Sequence, residues 1–119
     1  MTSNSKNFSA SYINARWVGH DSINVIEISN PADFHQVIGR VAFADSTLAK
    51  KAVEAAHTAW PQWRNTSVQT RFELIDVLLN VIQKHREQIA RIITLENGKT
   101  LTESLNEVDA SLNEARFQL

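Results

Sequence analysis

Residues with chemistry to offer are few and scattered in this 119-residue sequence. The four histidines, His20, His35, His57 and His85, show no His-x-x-x-His or comparable ligand spacing and read as ordinary surface or interface residues. His85 stands two residues before Glu87, yet nothing nearby supplies a nucleophile for it to activate. Cysteine is absent altogether, which excludes disulfides, thiolate zinc sites and a cysteine nucleophile within these residues. Glu96-Asn97-Gly98-Lys99 contains a Gly-Lys pair without the glycine spacing and strand of a phosphate loop. A helix C-cap with Lys99 near the terminal carbonyls explains it better. Trp60 and Trp63 bracket Pro61, where a carbohydrate or proline-motif platform competes with a hydrophobic anchor that clamps a helix end to a neighbouring layer. The anchor is the stronger reading.

Composition narrows the function further. With 43% apolar residues, 3 Gly and 2 Pro, the chain is one globular domain or a piece of one. A chain of this size can hide roughly two-thirds of its extended-state surface, enough for a modest core if its apolar faces find partners. Lys plus Arg number 12 against 13 Asp plus Glu, a formal net charge of -1 with no block of like charge. Nucleic acid is therefore an unfavoured partner. No run approaches the roughly 18 apolar residues that cross a bilayer, and the opening Met1 to Ser11 has neither the basic start nor the apolar stretch of a secretory signal. A cytoplasmic protein is expected.

The elements that must position these residues change character near Ala44. Before it the pattern is short and β-like. Tyr12-Ile13-Asn14-Ala15-Arg16-Trp17-Val18 reads as a small hairpin turning at Asn14-Ala15, with Ala15 an awkward residue for a primed turn. Ile23 to Ser29 alternates as a strand and stops at Asn30-Pro31. Val37 to Phe43 resumes a β-rich run, so a polar turn around Asp33 would make an antiparallel ribbon.

From Asp45 the period is helical. Asp45 or Ser46 can cap a helix whose Leu48, Ala49, Ala52, Val53, Ala56 and Ala59 form a small-sided face, ending at Trp60 because Pro61 follows. Thr66 and Gln69 make a capping-box pattern ahead of Val68, Phe72, Ile75, Leu79 and Ile82. A second stripe, Leu74, Leu78 and Val81, predicts neighbours on more than one side of that helix. After a polar break at Lys84-His85-Arg86-Glu87, Ile89, Ile92, Ile93 and Leu95 continue a short helix to a left-handed stop at Asn97-Gly98. Thr100 and Glu103 repeat the capping box and introduce Leu101, Leu105, Val108, Leu112, Ala115 and Leu119. No stop signal follows Phe117, so the sequence predicts a chain interrupted within its last helix; a natural terminal helix that frays is the alternative. No internal repeat, low-complexity tract or Gly/Pro/Ser-rich linker divides the chain.

In order along the chain, Tyr12-Ile13-Asn14 with Trp17-Val18, Asn30-Pro31-Ala32, Val37-Ile38-Gly39-Arg40-Val41-Ala42, Ala52-Val53 with Ala55-Ala56, and Trp63 form a series. Arg71 and Leu74, then Leu95-Glu96-Asn97-Gly98-Lys99-Thr100-Leu101, then Glu103-Ser104 and Glu107-Val108 complete it. Together they resemble the N-terminal part of the aldehyde dehydrogenase superfamily from about Tyr12 to Phe117. Two departures stand out: Ala15 where the family often has glycine, and Asp33-Phe34-His35-Gln36 where it has a glycine-containing turn. Both touch loop geometry, not chemistry.

The resemblance implies an α/β fold for the whole family protein. This segment would be α+β, a short antiparallel β ribbon followed by about four amphipathic helices. Residues 1–11 would be a flexible N-terminus and 12–119 the N-terminal part of the domain, truncated in its last helix. It further implies an enzyme in which a cysteine attacks an aldehyde, hydride passes to NAD or NADP, and a glutamate-activated water releases the acid. In such enzymes that cysteine, that glutamate and the cofactor fold lie later in the chain, so no catalytic or cofactor-binding residue is assigned here and no cofactor is expected to bind these residues alone. The partner implied is the remainder of the fold or a homologous subunit, with a homo-oligomer for the full-length form. The alternative is a non-catalytic binding or regulatory module docking on a full-length homologue.

The resemblance also carries one metal site. Some family members hold a monovalent cation with backbone carbonyls just before the Asn-Pro pair and an acidic residue before the Gly-Lys pair, which here are Ile28, Ser29 and Glu96. One carboxylate and two carbonyls are a sparse set, and Glu96 on a solvated helix end is the plainer reading. Arg71 sits where family members also place an arginine, and a salt bridge or carbonyl contact to the strand layer is expected of it.

Overall fold

A computed structural model describes residues 8–19 and 24–119, arranged as two compact units, residues 1–65 and 66–119. The first unit holds five strands and one helix: β1 (Phe8–Ser9), β2 (Ser11–Ile13), β3 (Arg16–Val18), β4 (Val25–Asn30), β5 (Asp33–Ala42) and α1 (Ser46–Arg64). The second holds α2 (Val68–Lys84), α3 (Arg86–Asn97) and α4 (Leu101–Gln118). Most of the flexible stretch expected over residues 1–11 lies outside the described residues, as do His20 and Ile23; Phe8 and Ser9 pair in parallel with Arg40 and Val41.

β2 and β3 form the expected hairpin, with Ser11 opposite Val18 and Ile13 opposite Arg16. Its two central residues are both left-handed, Asn14 at φ 51° and Ala15 at φ 59°, as a primed turn requires. Tyr12 and Trp17 face each other with ring centroids 5.0 Å apart and planes at 61°, an edge-on pairing.

β4 and β5 form the longer ribbon, and here the expected turn moves. The chain reverses at Pro31-Ala32, with Asn30 paired to Asp33, and Asp33-Phe34-His35-Gln36 already belongs to β5. Side chains make that reversal: Asn30 Oδ1 accepts from the Ala32 N–H at 2.9 Å, and Asp33 Oδ1 accepts from the His35 N–H at 3.1 Å. β5 carries extra residues against its partner, since Ile28 faces Gly39 and Ser29 faces Val37 while Asn30 faces Asp33. The polar stretch is thus an irregular, bulged strand instead of a turn. Among the described residues of this sheet Ala42 is buried, and Gly19, at φ 93°, lies beside it.

α1 begins where Asp45 Oδ1 accepts from the Leu48 N–H at 2.7 Å, but it does not end at Trp60. It runs through Pro61 to Arg64. Proline removes one N–H donor, leaving the His57 carbonyl without its helical partner, and in the last turn that single loss is tolerated while the following residues stay helical. The small-sided face is only partly used: Leu48 and Ala52 are half-buried, whereas Ala49, Val53, Ala56 and Ala59 are exposed; Ala55, outside that face, is half-buried as well.

In the second unit the cap of α2 is Ser67, one residue later than the capping-box pattern at Thr66 predicts, with its Oγ accepting from the Thr70 N–H at 3.0 Å. The break between α2 and α3 narrows to His85, whose N–H is shared by the Val81 and Ile82 carbonyls. Gly98 closes α3 in the left-handed region at φ 73°, its N–H on the Thr94 carbonyl at 2.9 Å. Thr100 and Glu103 form the capping box of α4 in both directions. Leu79, Ala90, Val108 and Leu112 make the core, with Ile75, Ile82, Ile89, Ile93, Leu101, Leu105 and Ala115 packed around it. Ala90 and Ser104 are fully buried, and such small side chains let α3 and α4 approach closely. The second stripe of α2 is not covered: Leu74, Leu78 and Val81 stay exposed, contrary to the buried arc expected of them.

Candidate functional site

The residues singled out by sequence fall on both units. Ile28 and Ser29 are half-buried on β4, where the register with β5 shifts on either side of Ser29. Such a bulge takes backbone groups out of the regular ladder. Glu96 is exposed at the penultimate position of α3, immediately before the left-handed reversal at Gly98. Lys99 does not lie with the terminal carbonyls of α3 as expected; its Nζ donates to Glu107 Oε2 on α4, an ion pair that ties the reversal to the next helix.

The remaining candidates are similarly plain. His35 and His57 are exposed on β5 and α1, and His85 Nδ1 lies 3.3 Å from Gln88 Oε1. Among the described residues no three of His, Asp and Glu converge as a metal centre would need. Trp60 and Trp63 remain 53% and 38% exposed, so the clamp expected of them is at most half made by the described residues. Arg71 is half-buried, and its Nε is sealed from solvent with no acceptor among the described residues. The salt bridge or carbonyl contact expected of it is therefore not made through that atom.

Two contacts across α3 and α4 were invisible in the sequence. Arg86 grips Asp109 with Nε and Nη2 on separate carboxylate oxygens, and Thr94 Oγ1 lies 2.9 Å from the buried Ser104 Oγ. These partners are 23 and 10 residues apart, so neither makes a local spacing that sequence periodicity reads. The Arg86 guanidinium holds the Asp109 carboxyl below its usual range, chiefly through the hydrogen bond. The Thr100 backbone N–H, then its hydroxyl, does the same for Glu103. Both are perturbations by structural contacts on the helix pair, with no nucleophile beside them.

The described residues also do not fit a dinucleotide. Strand passes directly to helix at Phe43-Ala44-Asp45, and no glycine lies there to admit a pyrophosphate. The N-terminus of α1, which would face the phosphates, is filled by the Asp45 carboxylate, an anion that repels another. Those of α2 and α4 are closed by Ser67 and by the Thr100–Glu103 box. The second unit has concavities as well. One of about 560 Å³ around the His85 joint is lined by polar and charged side chains from Gln83 to Arg91. Another, about 260 Å³, is an apolar groove lined by Leu79, Ile82, Ile89, Ile93 and Leu112. Ser111 and Glu107 also border that groove, one turn apart on α4, with the Glu107 carboxylate held by Lys99.

A sequence model of the aldehyde dehydrogenase family matches residues 17–119. Malonate-semialdehyde dehydrogenase 1 of Bacillus thuringiensis is 37% identical over 101 residues, covering 85% of this chain and 21% of that protein. The protein of the same name from Shouchella clausii is 34% identical over 106 residues, 89% of this chain and 21% of its own length. Among solved structures, a betaine aldehyde dehydrogenase of Staphylococcus aureus, crystallised with NAD+, superposes with a TM-score of 0.85 at 32% identity, covering 92% of this chain and 22% of that one. The chain thus spans about a fifth of the length of the relatives it matches.

Proposed function

This chain belongs to the aldehyde dehydrogenase family, and from that premise we propose that it is the N-terminal scaffold of an oxidoreductase that converts an aldehyde to a carboxylic acid with NAD or NADP. One observation carries the reading: the match runs through nearly all of the chain yet accounts for about a fifth of each relative, and the matched fifth contains no cysteine. NAD or NADP would supply hydride acceptance in the whole enzyme; the residues of this chain neither cradle it nor attack the substrate. Their work is to hold shape. The Asp45, Ser67 and Thr100 caps fix where three helices begin, the Arg86–Asp109 pair joins α3 to α4, and the Lys99–Glu107 pair joins the reversal between them to α4. Its partner in this reading is the rest of the fold, within a cytoplasmic homo-oligomer.

A graft tests the reading. Residues 17–119 replace the matching segment of the S. aureus betaine aldehyde dehydrogenase, and oxidation of betaine aldehyde by NAD+ is measured. Turnover is expected, reduced by whatever misfit the 32% identity leaves at the junction. A folded graft without turnover would contradict it and favour the second reading, a free-standing regulatory module.

The monovalent cation belongs to the same proposal: oxygen donors from the Ile28 and Ser29 carbonyls and the Glu96 carboxylate suit a hard ion of single charge. In the graft, potassium chloride would then raise the melting temperature above choline chloride at equal ionic strength. Glu96→Gln would remove the difference, and an equal response in the two proteins would rule the site out.

A further inference from the structure

We propose that Asn97-Gly98, at the reversal between α3 and α4, is a site of self-modification: Asn97 loses ammonia through a succinimide to become aspartate or isoaspartate, at a rate that the reversal holds down. The reaction needs no partner and is independent of the function proposed for the whole enzyme.

The chemistry starts from residue type. Of the three glycines, Gly98 alone follows an asparagine. A backbone nitrogen can attack the side-chain carbonyl carbon of the residue before it, and glycine, with no Cβ, leaves that approach open. The Gly98 nitrogen forms a bond to Asn97 Cγ while the Cγ–Nδ2 bond breaks. The proton of the Gly98 N–H passes by way of solvent to the departing Nδ2, which leaves as ammonia. Water then opens the five-membered ring. Addition at Cγ gives aspartate; addition at the main-chain carbonyl carbon gives isoaspartate, in which the chain runs through the side chain. One water is consumed, one ammonia is released, and no oxidation state changes.

The structure supplies both the access and the restraint. Asn97 is exposed at the last position of α3, and among the described residues no hydrogen bond holds its carboxamide. The attacking group, however, is engaged: the Gly98 N–H donates to the Thr94 carbonyl at 2.9 Å. A planar ring also needs Asn97 Cβ and the Gly98 nitrogen eclipsed about the Cα–C bond, which a helical ψ does not give. Ring closure therefore waits for the end of α3 to unwind. The left-handed cap at Gly98, the Lys99–Glu107 ion pair and the Thr100–Glu103 capping box oppose that opening. Helix ends open locally, well short of global unfolding, so the restraint slows the reaction without abolishing it. Either product then favours the open form. Aspartate adds a carboxylate beside Glu96 at the negative end of the α3 dipole. Isoaspartate lengthens the backbone by a methylene, so the Gly98 N–H no longer meets the Thr94 carbonyl.

The 119-residue chain would be held in mildly alkaline buffer, with and without guanidinium chloride. Peptide mass spectrometry, with chromatographic separation of aspartate and isoaspartate forms, follows conversion at each asparagine. Unfolded, Asn97 is expected to convert roughly tenfold or more faster than Asn65, Asn80, Asn106 and Asn113, none of which precedes glycine. Gly98→Ala should remove most of that advantage. Folded, the Asn97 rate should fall by roughly tenfold or more. Thr100→Ala with Glu107→Gln, which removes the capping hydroxyl and the ion pair, should raise the folded rate roughly fivefold and leave the unfolded rate alone. Circular dichroism shows whether each buffered sample is helical; should the lone chain lack helix, the betaine aldehyde dehydrogenase graft replaces it as the folded sample. The inference would be overturned by an unfolded Asn97 no faster than the other asparagines, by equal folded and unfolded rates in a helical sample, or by a folded rate that the double variant does not move.

Discussion

Ala15 shows how a single residue can be legible as a misfit. Its neighbours predict a two-residue turn, and the structure puts it at φ 59°, a conformation that costs a Cβ-bearing residue about 1 kcal/mol. Ala15→Gly is expected to raise stability by a similar amount in a thermal or urea melt; an unchanged midpoint would mean the turn relaxes in solution. The Thr94–Ser104 contact, by contrast, had no signal in the sequence, because a serine ten residues along reads as one more polar helix position. Buried as it is, Ser104 makes Thr94→Val costly by about 1–3 kcal/mol, since a hydroxyl is left unsatisfied. Adding Ser104→Ala to that variant should return part of the loss. The perturbed carboxyls make a third expectation. Glu103 and Asp109 are held below their ordinary values of 4.5 and 3.8, so folding releases protons from both. Their contribution is complete above those values and is lost as pH falls through the lower folded values. Melts taken downward from about pH 5 should show a shallower decline for Glu103→Gln with Asp109→Asn than for the wild type.

At the level of elements, what the sequence revealed depended on whether a signal was local. The strand around Ile26 and Ile28, the first stripe of α2, the stripe of α4 and the left-handed Gly98 are all read over a few residues, and each stands in the structure, though burial along β4 does not alternate. The cap of α2 was misplaced because Thr66 and Ser67 are chemically interchangeable signals, and only backbone direction chooses between them. Ser67→Ala is expected to cost about 0.5–2 kcal/mol, because the Thr70 N–H loses its acceptor. An effect below a few tenths would show that another group takes over the cap. Pro61 misled for a different reason. A proline forbids one hydrogen bond, and whether a helix survives that loss depends on how many residues beyond it stay helical, which tertiary context decides. The stretch from Asp33 to Gln36 looked like a turn because polar residues cluster there, yet asparagine and aspartate side chains moved the reversal to Pro31-Ala32.

For the whole molecule, the sequence disclosed the family and the absence of a thiol, while the apolar side chains left exposed became visible only with the helices in place. The second stripe of α2 could be counted from the sequence, but periodicity cannot tell a face buried in this chain from one buried by another. The central claim is that these residues position catalysis performed elsewhere. Its most direct test is the steady-state rate at which the purified 119-residue chain reduces NAD+ or NADP+ with betaine aldehyde or malonate semialdehyde. A rate equal to that of the same solution without protein is expected, and a rate that rises with protein and saturates with aldehyde would contradict the account.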